Sequence, residues 1–164
     1  MKLSLSGFLF EVAYRGQSVD FEGFCAIAAD NGYAGVELRR TQVSPDSPPR
    51  VRDAVRRAAA KRGLSISCLT TRGMPDEGDA RDRHFDGYLD LCRDLDCRML
   101  KTSGDPDWCR VAAEKAAARG IVLGRNNHGG TPLETVEGAR RFIADVGHDN
   151  FALLYDAMHL NNAG

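Results

Sequence analysis

Ile121-Val122-Leu123-Gly124-Arg125-Asn126-Asn127-His128-Gly129-Gly130-Thr131-Pro132-Leu133-Glu134 carries a complete change of periodicity in one short stretch. The first six residues are β-rich, and the next four form a polar, glycine-bearing loop. In the last four, threonine, then proline at the first helical position, then glutamate at the third, read as a capping box that starts a helix at Thr131. Strand, loop and helix start in that order make a βα unit.

The same unit repeats on either side. Towards the C-terminus a sixth strand is predicted over about 151–156. Towards the N-terminus strands are predicted over about 3–10, 35–39, 64–70 and 98–102. Helices at the 3.6-residue period are predicted between them over about 19–31, 50–61, 84–95 and 107–119, most closing at a glycine (Gly32, Gly63, Gly120). The polar run 72–83 reads as a loop. Six strand–helix alternations without a second compositional region predict one α/β domain with a parallel sheet.

Side chains alternate along a strand, so polar residues can be sorted by face. Ser4 and Ser6, then Gly35, Glu37 and Arg39, then Ser65 and Ser67 share one face of the first three strands. Leu3, Leu5, Val36, Leu38, Leu64 and Ile66 make the opposite, helix-covered face. Met99 with Lys101, Val122 with Gly124 and Asn126, and Ala152 with Leu154 and Asp156 repeat the pattern. Polar groups therefore gather at the C-terminal ends of one face. A sheet buried on both sides gains nothing from that, whereas a barrel places such residues at its mouth. The fold expected is a partial (β/α)8 barrel of about six units.

With 22 basic and 23 acidic residues among 164, the net charge of −1 supplies no field to attract nucleic acid or an anionic membrane, and a small-molecule partner is expected. No run approaches the roughly 18 apolar residues of a membrane helix, and the N-terminus enters strand pattern directly, so a cytoplasmic location is expected. Five cysteines with no Cys-x-x-Cys spacing read as reduced core thiols. Trp108 reads as a packing anchor, and His84 and His148 as surface residues at helix boundaries.

Three pieces at strand ends, Gly32-Tyr33-Ala34-Gly35-Val36-Glu37-Leu38, Asn126-Asn127-His128-Gly129-Gly130-Thr131 and Tyr155-Asp156-Ala157-Met158-His159-Leu160, resemble the xylose-isomerase-like TIM-barrel superfamily of sugar phosphate isomerases and epimerases. The resemblance implies a sugar or sugar-phosphate substrate and proton transfer beside a carbonyl through an enediolate. It also implies a divalent metal at the barrel mouth, Mn²⁺ or Mg²⁺ with Zn²⁺ a further candidate. On that pattern Asp156 and Asn126 fall at metal positions. Glu37, Lys101 and His159 are the catalytic candidates, and Arg39, Asn127, His128 and His159 the substrate-binding ones.

Two departures matter. Asn126 stands where the family has a glutamate, and an amide cannot act as a base. The ligands that the family carries on strands seven and eight have no counterpart in these six units, so metal binding is expected to be weak or absent in this chain. A barrel of this type takes about 200 residues or more, so the chain is expected to be C-terminally incomplete, with open edges at strands one and six that favour self-association. Alternative readings are a non-catalytic carbohydrate-binding relative, suggested by Asn126, a lyase or dehydratase on the same scaffold, and an endonuclease-IV-like phosphodiesterase. Balanced charge and only four histidines disfavour the last, so no nucleic acid is expected.

Overall fold

The computed structural model describes residues 2–16, 18–71 and 77–162. The strands are β1 (Ser4–Ser6), β2 (Gly35–Leu38), β3 (Ser65–Thr70), β4 (Met99–Lys101), β5 (Val122–Asn126) and β6 (Phe151–Leu154). The helices are α1 (Glu11–Arg15), α2 (Phe21–Asp30), α3 (Pro49–Lys61), α4 (Gly78–Asp94), α5 (Pro106–Ala117), α6 (Val136–Val146) and α7 (Ala157–Asn162). Strands are hydrogen-bonded in sequence order, β1-β2-β3-β4-β5-β6. The chain forms two compact units, residues 1–100 and 101–164.

In the first unit β1, β2 and β3 pair in parallel, with Leu5 opposite Val36 and Val36 opposite Ile66. Leu5, Val36, Leu38, Leu64 and Ile66 are buried as the alternation requires, against a helical layer that includes Phe24, Val55, Phe85 and Leu89. Leu3 departs from that face and is 54% exposed, lying before the first paired residue. Gly35 sits opposite Ser65. The register slips between Val36 and Glu37, which pair with Ile66 and Cys68. This bulge brings Thr70 onto the face of Glu37, and bulges of this kind re-aim side chains beside sites.

The second unit pairs β5 with β6, Leu123 opposite Phe151 and Asn126 opposite Leu154. Asn150 joins three elements, its Nδ2 donating to Ala113 O at 3.0 Å and Ile121 O at 2.8 Å. Trp108 is buried at the start of α5, as an anchor should be. Arg125, on the face of β5 opposite Asn126, lies under the helices with its guanidinium 4.6 Å from the Phe142 ring centroid.

Several predicted boundaries move, each for a local reason. The first strand ends at Ser6 because that hydroxyl accepts from Phe8 N at 3.3 Å and starts a 3₁₀ turn over Gly7–Phe10. Helix α4 begins well before the predicted residue 84, so part of the predicted 72–83 loop is helical, and residues 72–76 lie outside the described ones. It ends without glycine: Asp96 takes φ 50°, and Cys97 N donates to Cys92 O at 2.8 Å, the pattern that closes a helix with a left-handed residue. His84 lies inside α4 and is half-buried, with its ring edge-on to Tyr88 at 5.3 Å. The capping box at Thr131 makes a turn instead of a helix, because Thr135 takes the cap and accepts from Gly138 N at 3.0 Å. Glu134 folds back to accept from Gly130 N at 3.0 Å.

Candidate functional site at the strand ends

In the first unit the slipped register sets three side chains together. Thr70 Oγ1 donates to Glu37 Oε1 at 2.9 Å, and Glu37 Oε1 lies 3.6 Å from Arg39 Nη1. Glu11 Oε1, from α1, lies 4.0 Å from Arg39 Nε, and Phe8 lies beneath the guanidinium at 5.1 Å. Arg39 is thus held between two carboxylates and over a ring, which fixes a planar cation in one orientation. Gln42 supports the strand end, its Oε1 accepting from Arg39 N at 2.7 Å. Glu37 and Arg39 were both predicted as site residues. Glu11, Gln42 and Thr70 were not. Only Glu11 carries a signal, an acid directly after the strand predicted over 3–10.

In the second unit the predicted residues of β5 and β6 meet. Asn127 is fully buried, and its amide bonds both backbone groups of Asp156, Nδ2 donating to Asp156 O at 2.8 Å and Oδ1 accepting from Asp156 N at 2.7 Å. Asp156 Oδ1 accepts from Met158 N at 3.1 Å, starting α7, and its Oδ2 stands 3.8 Å from His159 Nε2. The His128 and His159 rings lie 4.2 Å apart, tilted by 40°. His128 Nδ1 is 2.9 Å from Gly129 O. A carbonyl only accepts, so that nitrogen carries the hydrogen and a neutral ring presents Nε2 as an acceptor. The glycine loop does not open α6 directly, since residues 131–135 intervene. Asn126 and Lys101 are half-buried at the ends of their strands.

The donor set bears on the implied cation. Among the described residues no three His, Cys, Asp or Glu side chains come together as a metal group. The carboxylates of Asp156 and Glu134, which follow β6 and β5, are each already engaged, Asp156 Oδ1 by Met158 N and Glu134 Oε2 by Gly130 N. Divalent hard cations take about six oxygen ligands, so the described residues do not fit one by themselves.

A family model described as xylose isomerase-like TIM barrel matches residues 25–164. The chain belongs to that family. The probable 3-DHS dehydratase of petrobactin synthesis from Bacillus anthracis superposes with a TM-score of 0.84 at 17% identity, covering 100% of this chain and 66% of that one. A D-psicose 3-epimerase determined in the presence of D-fructose gives 0.77 at 16% identity, covering 99% of this chain and 65% of its own. A xylose isomerase-like protein from Mycobacterium smegmatis in complex with magnesium gives 0.61 at 17% identity, covering 81% and 55%. The chain thus spans about two thirds of the length of the first two. No curated protein sequence matches it. These six parallel βα units are a partial TIM barrel, which has eight. Among the described residues no helix is long and apolar enough to cross a membrane.

Proposed function

We propose that this chain carries part of a sugar isomerase or epimerase site, binding a small sugar or sugar phosphate at the C-terminal strand ends and moving a proton beside its carbonyl. The observation that supports this most is the row of Asp156, His159 and His128, built by a loop and a short helix that follow adjacent parallel strands. Ligands of α/β barrels bind at that end of the sheet. The family match agrees with the reading, and so does the likeness to an epimerase fold.

His159 is assigned to proton transfer, with Asp156 placed to orient its imidazole. A base takes the proton from the carbon next to the carbonyl, leaving an enediolate. Delivery of a proton to the opposite face by a second acid gives an epimer, and delivery to the former carbonyl carbon, with a proton passing between the two oxygens, gives an isomer. His128 Nε2 is free to accept a sugar hydroxyl in the neutral ring. Lys101, at the end of its strand in the second unit, is assigned to the same chemistry, while Glu37 and Arg39 are a catalytic and a substrate-binding candidate within the first unit, where Thr70 already donates to Glu37. A divalent cation would meet Asp156 and Asn126 here and would need further donors.

A non-catalytic carbohydrate-binding role is the second reading, favoured by Asn126, which supplies no base. Calorimetric titration with D-fructose, with and without Mn²⁺ or Mg²⁺, tests the binding that both readings share. Saturable heat that disappears in His128→Ala and His159→Ala supports it. The same heat in both variants counts against the site.

A further inference from the structure

We infer that Asn127 is a positioning residue: its side-chain amide acts as a peptide group in the β5–β6 ladder and fixes Asp156, and through it His159. The inference rests on the reading of Asp156 and His159 as site residues given above, and it moves Asn127 out of the substrate-binding set.

The last backbone pairing between β5 and β6 joins Asn126 to Leu154. Beyond it the chain leaves strand geometry, and Asp156 would have no cross-strand partner for its own N–H and C=O. Asn127 supplies both at once, at 2.7 and 2.8 Å, across 29 residues of sequence. In the parallel ladder those two groups would bond to two different peptide groups of the neighbouring strand, and the single Asn127 amide takes the place of both. Asn127 is 0% exposed, so its amide is held inside the fold, and losing it strips the Asp156 N–H and C=O of their protein partners. The chemistry is narrow. Aspartate lacks the donor, leucine lacks both groups at similar volume, and glutamine carries an extra methylene into a closed space.

What the clamp controls follows from what Asp156 does next. With its backbone held, its carboxylate caps Met158 N at 3.1 Å and faces His159 Nε2 at 3.8 Å. His159 rides on α7, which that cap starts, and its ring lies against His128. Displacing Asp156 therefore shifts the helix that carries His159 and opens the contact between the two imidazoles. Asn127 acts on the site without touching a ligand.

The test uses the full chain, isotope-labelled, as wild type, Asn127→Leu and Asn127→Asp. It reads amide hydrogen exchange along β5, β6 and α7, the NMR contact between the His128 and His159 rings, and the response of both rings to D-fructose. In Asn127→Leu the Asp156 amide should exchange at least about tenfold faster, the ring contact should be lost, and the response to D-fructose should weaken. The change should be confined to residues 155–159. Asn127→Asp keeps the acceptor for Asp156 N–H, so it should retain that amide's protection while weakening the ring contact. This near-isosteric variant decides the matter if the leucine variant does not fold. Unchanged protection and ring contact in both variants would overturn the inference, as would a uniform loss of protection along β5 and β6. Wild-type rings that ignore D-fructose, together with local loss of protection in the variants, would leave the clamp standing and remove the carbohydrate reading.

Discussion

Gly35→Ala probes how closely β2 and β3 approach. A Cβ at position 35 would lie 2.7 Å from both Ser65 O and Ser65 Oγ. Ordinary carbon contacts begin near 3.4 Å, so the strands must part by about 0.7 Å. Ser65 N and Ser65 Oγ both donate to Ala34 O, at 3.1 and 3.2 Å, and parting by that much takes both beyond hydrogen-bond range. Overpacking costs about 1–3 kcal/mol and each weakened bond up to about 1 kcal/mol, giving about 2–4 kcal/mol in all. At this chain length that corresponds to a fall in Tm of about 5–15 °C. Gly63→Ala is the control: its Cβ meets nothing within 4 Å, but φ is +67°, so only the backbone penalty of about 1 kcal/mol applies. Urea unfolding followed by circular dichroism reads both. Adding Ser65→Gly removes the hydroxyl but not the backbone oxygen, so it should rescue Gly35→Ala only in part. If Gly35→Ala costs no more than Gly63→Ala, the Gly35 to Ser65 register is wrong.

Thr135→Ala should cost about 1 kcal/mol through loss of the cap on Gly138 N, while Thr131→Ala should leave the far-ultraviolet signal of α6 unchanged, and thermal melts of the pair separate the two threonines. Asn150→Ala strips partners from the carbonyls of Ala113 and Ile121, and urea unfolding should show a loss of about 2–4 kcal/mol. Burial pushes the Cys25 thiol up to about 11. The unfolded thiol ionises near its ordinary value and the folded one does not, so this contribution to stability is intact below pH 9 and fades between about 9 and 11. Cys25→Ala should flatten the fall of the urea midpoint over that window, and parallel curves would contradict it.

The alternation of strand and helix was legible because both periods are local. The buried sets Leu5, Val36, Leu38 and Ile66, and Phe85, Tyr88, Leu89 and Cys92, follow from spacing alone. Illegible features are those decided by a competing partner elsewhere. Thr131 and Thr135 are both sound caps, and the fold of Glu134 back onto Gly130 selects between them. The slip after Val36 that brings Thr70 to Glu37 depends on how β3 meets β2, which neither strand shows by itself. In the site, Asp156 and His159 stand three residues apart, so a helical turn after β6 brings them to one side. Asn127 read as a substrate contact because a polar residue in a glycine loop gives no sign that a backbone 29 residues later takes both its bonds.

The proton-transfer reading is tested most directly by solvent exchange. The chain is incubated with D-fructose in deuterium oxide, with Mn²⁺ or Mg²⁺ as parallel arms, and the sugar is examined by proton NMR. Deuterium entering only at carbons next to the carbonyl, lost in His159→Ala, is the result expected. No deuterium above a protein-free control in any arm, or equal incorporation by His159→Ala, would contradict it.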